Sequence, residues 1–202
     1  MRNRILKAVF LSVFMVSVSV AVLAVTAQDN SADVKAKIDN AMSAAPRFVA
    51  EDATILDNAL DANGKPVVLR AGTNGWTCFP DDLTTPMNNP ACYDEVWMTW
   101  IAAVMAGEDP SLTVTKPGFS YMLQGDDAAS NSIPFAAEPA EGEMRMASGP
   151  HIMILFPPSV DLSGVTTDEH SSYWVMWAGT PFQHIMILTS DTDMADMPGM
   201  GS

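Results

Sequence analysis

His151-Ile152-Met153-Ile154-Leu155 recurs letter for letter as His184-Ile185-Met186-Ile187-Leu188, 33 residues later, and between the copies lies Tyr173-Trp174-Val175-Met176-Trp177. These three runs decide the fold. Each is five residues long and carries β-branched or aromatic side chains, so each reads as a strand and not as a buried helix. Pro157 and Pro158 close the first copy, and the short segment Ala178 to Gln183 joins the last two runs as a hairpin. Both faces of each copy are largely apolar, which predicts strands inside a sheet covered on both sides. One matched pentapeptide without flanking similarity does not make a repeat array.

Working outward, Asp94 to Ala106 is the clearest helix. Val96, Trp97, Trp100, Ile101, Val104 and Met105 form one apolar face, Asp94 and Glu95 suit the positive N-terminus, and Gly107 suits the stop. The i, i+3 pairing of the two tryptophans marks them as core. Ser31 to Ala44 predicts a second helix, with Pro46 shortly after its end. Ala53 to Leu56 and Pro66 to Leu69 read as a hairpin around Asn63-Gly64, and the nearby acids fail the spacing of a calcium loop. A further strand is expected around Tyr121-Met122-Leu123, and Ala128 to Ala147 reads as a long surface connection. The two cysteines, Cys78 and Cys92, enclose a Pro- and Asn-rich segment and are expected to form a disulfide, worth about 3 kcal/mol in the chain-entropy view. The expected fold is α+β: an antiparallel sheet of about six strands, two packed helices and one disulfide-stapled loop, all in a single domain over 28–190.

The N-terminus carries Arg2, Arg4 and Lys7, then an apolar run from Ala8 to Val25 that ends at Val25-Thr26-Ala27. This is the order of a cleavable signal peptide over 1–27, cut after Ala27, so that the exported chain begins at Gln28 and is periplasmic or secreted. An uncleaved anchor is the alternative, because the apolar run approaches the length of a membrane span. Removing the three basic residues leaves seven Lys and Arg against 24 Asp and Glu, a net charge of −17. Such a surface excludes nucleic acid, and after signal cleavage an anionic membrane, as partners. A metal ion or a small molecule is the partner expected instead. The last residues, 191–202, combine Met194, Met197 and Met200 with Asp191, Asp193 and Asp196, and read as a Met/Asp-rich disordered tail or a thioether trap for Cu(I).

Three functional readings compete. Alternation places His151 with Met153, and His184 with Met186, on one face of their strands, and imidazole with thioether is the ligand softness suited to copper. If the two strands are neighbours the histidines could lie about 5 Å apart; with the Tyr173 to Trp177 strand between them the separation is nearer ~10 Å. Sequential pairing favours the second arrangement. The bland reading keeps both histidines as satisfied core groups and the methionines as filler. The second function is an organic-ligand module whose aromatic pocket is lined by Trp76, Tyr173, Trp174, Trp177 and Phe182, with Asn74 and Gln183 as polar fixers. The third is a hydrolase or lyase using buried His151 or His184 with an acid such as Asp81, Asp82 or Asp94. No Gly-x-Ser-x-Gly elbow, His-Glu-x-x-His helix or phosphate-binding glycine loop supports it.

At Asn74-Gly75-Trp76-Thr77-Cys78-Phe79-Pro80, and again from Trp174 to Ile187, the chain resembles a group of exported bacterial proteins of unknown function. The resemblance runs through much of the domain. It implies export and a single domain and assigns no functional residue.

Overall fold

Residues 31–190, apart from 129, 143 and 144, are described by the computed structural model of this chain. The expected signal peptide and the C-terminal tail 191–202 lie outside the described residues. In chain order the elements are α1 (31–42), α2 (Arg47–Ala50), β1 (Thr54–Leu60), β2 (Pro66–Arg70), β3 (Thr77–Phe79), β4 (Ala91–Tyr93), α3 (Glu95–Ala106), β5 (Gly118–Met122), β6 (Asp126–Ala128), β7 (Met146–Ser148), β8 (His151–Leu155), β9 (Tyr173–Met176) and β10 (His184–Leu188). Residues 31–37, the first turns of α1, belong to a separate unit, and from Ile38 the described chain forms one compact unit.

The fold is α+β, as the sequence predicts, with a sheet that is larger and less uniform than expected. Eight strands run in the order β2-β1-β3-β4-β5-β8-β10-β9, while β6 and β7 form a separate ribbon. The sheet is mixed because β1 and β3 are parallel. The cause lies in residues 71–76. After the β1–β2 hairpin this segment passes the start of β1 and enters β3 on its other side, with Thr54 N–H donating to Trp76 O at 2.9 Å. Gly72 makes the crossing possible: a Cβ there would run into the backbone of Ala53 and Thr54. β3 and β4 have three residues each, too few to show a period-two pattern. They carry the expected disulfide, since Cys78 and Cys92 face each other across the pair and are bonded.

A second difference decides the geometry of the site. Sequential pairing would put β9 between β8 and β10, whereas β10 lies between β8 and β9 and β9 is the edge. The long connection 156–172 frees the β9–β10 hairpin from pairing in chain order. It then covers the open edge, with Val175 N–H donating to Thr166 O at 2.8 Å.

The sheet has a core on each face. On one, α2 and the end of α1 cover Ile55 and the disulfide, together with Ala41, Ala44, Val49 and Ala53. On the other, α3 lays Val96, Trp97 and Trp100 over the second half of the sheet. Asp94 caps α3 by accepting from Trp97 N–H at 2.9 Å, and its second oxygen accepts from Phe119 N–H at 2.7 Å, which ties the helix to β5. Gly118 lets the helix sit close, because a Cβ there would lie 2.8 Å from the side chain of Val96. Among the described residues no helix is long and apolar enough to cross a membrane.

Candidate functional site

The two identical pentapeptides are adjacent strands running in opposite directions. Met153 faces Met186 directly, and His151 faces Leu188. His184 is therefore displaced from His151 by four residues along the sheet, about 13 Å at the usual rise per residue. Neighbouring strands alone do not bring the two imidazoles to one point. His151 sits beside Met122 of β5, and His184 sits opposite Met176 of β9. All five of the residues His184, Met153, Met176, Met186 and His151 are buried on the face beneath α3.

Each histidine is anchored the same way. His151 Nδ1 lies 2.8 Å from Gly149 O, and His184 Nδ1 lies 3.0 Å from Phe182 O. A carbonyl only accepts, so Nδ1 carries the proton and the neutral ring presents a bare lone pair at Nε2. Both Nε2 atoms are buried without a hydrogen-bond partner. Burial pushes each pKa down to about 4, against the backbone bond that favours the charged form; the charge of His151 lowers His184 a little further. Both rings are neutral at pH 7.

What separates them is a cavity of about 600 Å³ between the sheet and α3, lined by His184 and not by His151. The sheet contributes Met153, Met176 and Met186, and α3 contributes Trp97 and Trp100. Six rings form a closed chain of contacts, five of them on the cavity wall: Trp97 to Trp100 at 5.2 Å, Trp100 to Phe182 at 6.1 Å and Phe182 to Phe135 at 5.1 Å. From Phe135 it runs to Trp177 at 4.9 Å, to His184 at 5.3 Å, and back to Trp97 at 5.5 Å. The indole N–H groups of Trp97 and Trp100 are also buried without a partner. On the far wall burial raises the pKa of the Asp126 carboxyl, opposed by hydrogen bonds that include one from Asn89. Burial, with the charge of Asp126 added, also raises that of the Tyr93 phenol.

The connection expected over Ala128 to Ala147 does more than link strands. Phe135, 58% exposed, lines the cavity and packs at a tilt against Trp177. Both have φ of 55°, and among the described residues they are the two non-glycine positions in that region. Such strain persists only where the surroundings enforce it. Here Trp177 donates its backbone N–H to Asn131 O at 2.9 Å and its indole N–H to Ser130 O at 3.0 Å. A neighbouring cleft of about 590 Å³ shares the wall of Ala128, Phe135 and Trp177.

Of the five aromatics expected to line a pocket, the cavity uses Trp177, and Phe182 packs behind it against Trp100 and Phe135. Trp174 is buried core, its indole donating to Asn131 Oδ1 at 3.0 Å. Tyr173 is 53% exposed on the sheet edge, and Trp76 packs on Tyr121 at 5.4 Å in the opposite core. Asn74 accepts from Trp76 N–H in a local turn and donates its side-chain amide to Val49 O of α2 at 2.8 Å, and Gln183 accepts from Gly179 N–H within its own turn. Asp81, Asp82 and Asp94 accept from backbone N–H groups, and neither His151 nor His184 has a carboxylate hydrogen-bond partner. Met176, Trp97, Trp100 and Phe135 are the site residues that pattern reading missed. Alternation from Trp174 to Met176 pointed to the first, and the spacing of the tryptophans placed the next two on the buried stripe. Nothing in the local sequence around Phe135 marks it.

Fold and site define the class as a mixed-sheet α+β domain with an aromatic- and methionine-lined cavity between sheet and helix. Compared with known proteins, the chain matches no family model, no curated protein and no solved structure. Among the described residues no group of three or more His, Cys, Asp or Glu side chains is placed to hold a metal ion.

Proposed function

We propose that this chain is an exported small-molecule-binding protein that holds a mostly apolar organic molecule in the cavity beneath α3. One observation carries the reading. The cavity of about 600 Å³ is lined by residues bearing three buried polar atoms without partners, an acceptor at His184 Nε2 and donors at Trp97 Nε1 and Trp100 Nε1. An unsatisfied buried polar group costs roughly 1–3 kcal/mol. A ligand with one donor and one acceptor offsets that cost while its apolar body meets the rings and thioethers, the usual division of labour in a ligand pocket. Export is supported by the N-terminal pattern, the acidic charge and the Cys78–Cys92 disulfide. Mature protein beginning at Gln28 is the expected product of secretion; chain retaining Met1 in a membrane fraction would oppose it.

The binding reading is tested by screening small aromatic molecules that carry one N–H or O–H, using the intrinsic fluorescence of the tryptophans. Saturable one-site binding is expected, weakened by about 1 kcal/mol, roughly fivefold, in His184→Phe, which keeps a ring but removes the acceptor. No saturable binder across such a set, or equal affinity in a folded His184→Phe chain, would overturn it.

A further inference from the structure

The cavity beneath α3 carries an acid that nothing in the fold neutralises. Alternation along the β6–β7 ribbon turns Asp126 and its partner Ser148 into the cavity, while Asp127 lines the neighbouring cleft instead. Arg145 stands on that other side, with Nη1 3.9 Å from Asp127 Oδ2. Asp126 has no such partner: among the described residues no Lys or Arg lines the cavity, and its one imidazole, His184, is neutral. The Asp126 side chain is half-buried and so remains within reach from the cavity, yet it is enclosed enough that desolvation raises its carboxyl pKa. The side-chain donor beside it is the neutral amide of Asn89. Three rings line the same cavity in a row, Phe79 to Tyr93 at 6.1 Å and Tyr93 to Trp97 at 5.9 Å, and the Tyr93 phenol feels the charge of Asp126. A carboxylate beside aromatic rings, shielded from bulk water, is the chemistry that recognises an organic ammonium.

From this arrangement we infer that the cavity selects molecules bearing a protonated amine on an aromatic body, with the ammonium held at Asp126 among Phe79, Tyr93 and Trp97. The inference deepens the organic-ligand reading and rests on it. A body that carries both a hydroxyl and an ammonium meets both acceptors, the hydroxyl donating to His184 Nε2 and the ammonium to the Asp126 carboxylate. The ammonium supplies the positive charge that the enclosed carboxylate lacks. Its cost of leaving water is offset by that charge pair and by the rings. The same carboxylate disfavours an organic anion, and a chain of net charge −14 attracts cations in preference to anions from solution.

Titration calorimetry of the full chain with tyramine and longer aminoalkyl phenols, each compared with the phenol that has a hydroxyl in place of the ammonium, tests it. At least one amine should bind on the order of tenfold more tightly than its alcohol, a ratio that needs no variant. Asp126→Asn keeps the shape of the side chain and removes its charge, and in it the preference for the amine should disappear. Because the ratio is read within each chain, a general change in the cavity affects both ligands and cancels. Asp127→Asn removes the same charge from the other side of the ribbon and should leave the preference within about twofold. Alcohols that bind while no amine binds more tightly, a preference that survives Asp126→Asn, or one that Asp127→Asn abolishes equally would overturn the inference and leave the organic-ligand reading standing. Failure of amines and alcohols alike would overturn both.

Discussion

His151 and His184 stand in identical pentapeptides, are equally buried, and differ in their surroundings. His184 lines the cavity and has Met176 across the strand, whereas His151 does not line it and pairs with Met122 and Leu188. The sequence shows the alternation that puts each His with its Met on one face. It does not show the register, because identical strands can pair in many offsets and the choice is made by the hairpin and by packing against β5. Glycine is legible at this scale only after the fold is known. Gly72→Ala would push a methyl into the backbone of Ala53 and Thr54, with no flexible side chain to yield. Urea unfolding of that variant should show a loss of about 3 kcal/mol or more, or no folded state; a loss within ~0.5 kcal/mol would contradict the crossing of 71–76 over the start of β1.

At the scale of elements, α3 was the most readable part of the chain. Its cap, its stop and its apolar stripe all agree, and Asp94 and Gly107 take the positions the pattern assigns them. The last three strands were equally plain in type but not in order, since a long connection erases the preference for pairing in sequence. β3 and β4 were legible only through their cysteines. With the disulfide intact the enclosed loop is further ordered by Asp81 and Asp82, which accept from Asn89 and Thr84 N–H groups. Reduction should therefore lower stability by about 3 kcal/mol without changing the sheet. Urea unfolding with and without reductant, followed by tryptophan fluorescence, measures it; an unchanged midpoint would mean that the loop orders itself.

For the molecule as a whole, the buried neutral histidines couple stability to acid. Unfolded, each imidazole takes up a proton near its usual 6.5, but folded it resists protonation until about pH 4. Their contribution is complete above pH 6.5 and is lost as pH falls from 6.5 to 4, by up to ~1.4 kcal/mol per pH unit for each ring. Asp126 acts with the opposite sign: its raised carboxyl pKa favours the folded state in acid, and that gain fades as pH rises through its folded value, so it blunts the acid end of the loss. Thermal melts across this range, with a chelator present, should show a falling midpoint from pH 6.5 downward. A flat profile would mean that the rings are not buried as neutral groups. The acidic charge was readable from composition, whereas the cavity was not, because its walls come from nine strands, a helix and the connection holding Phe135, far apart in the chain.

Under the proposed function, His184 offers an unprotonated Nε2 to a ligand in this cavity. Long-range proton–nitrogen NMR of the two buried imidazoles, at pH 7 and during titration with a molecule from the fluorescence screen, measures it directly. Both rings are expected as the Nδ1–H tautomer in the free protein, and the His184 Nε2 signal should then move as hydrogen bonding begins while that of His151 stays in place. A His184 ring protonated at Nε2 in the free protein, or an Nε2 signal that ignores a saturating ligand, would contradict the account.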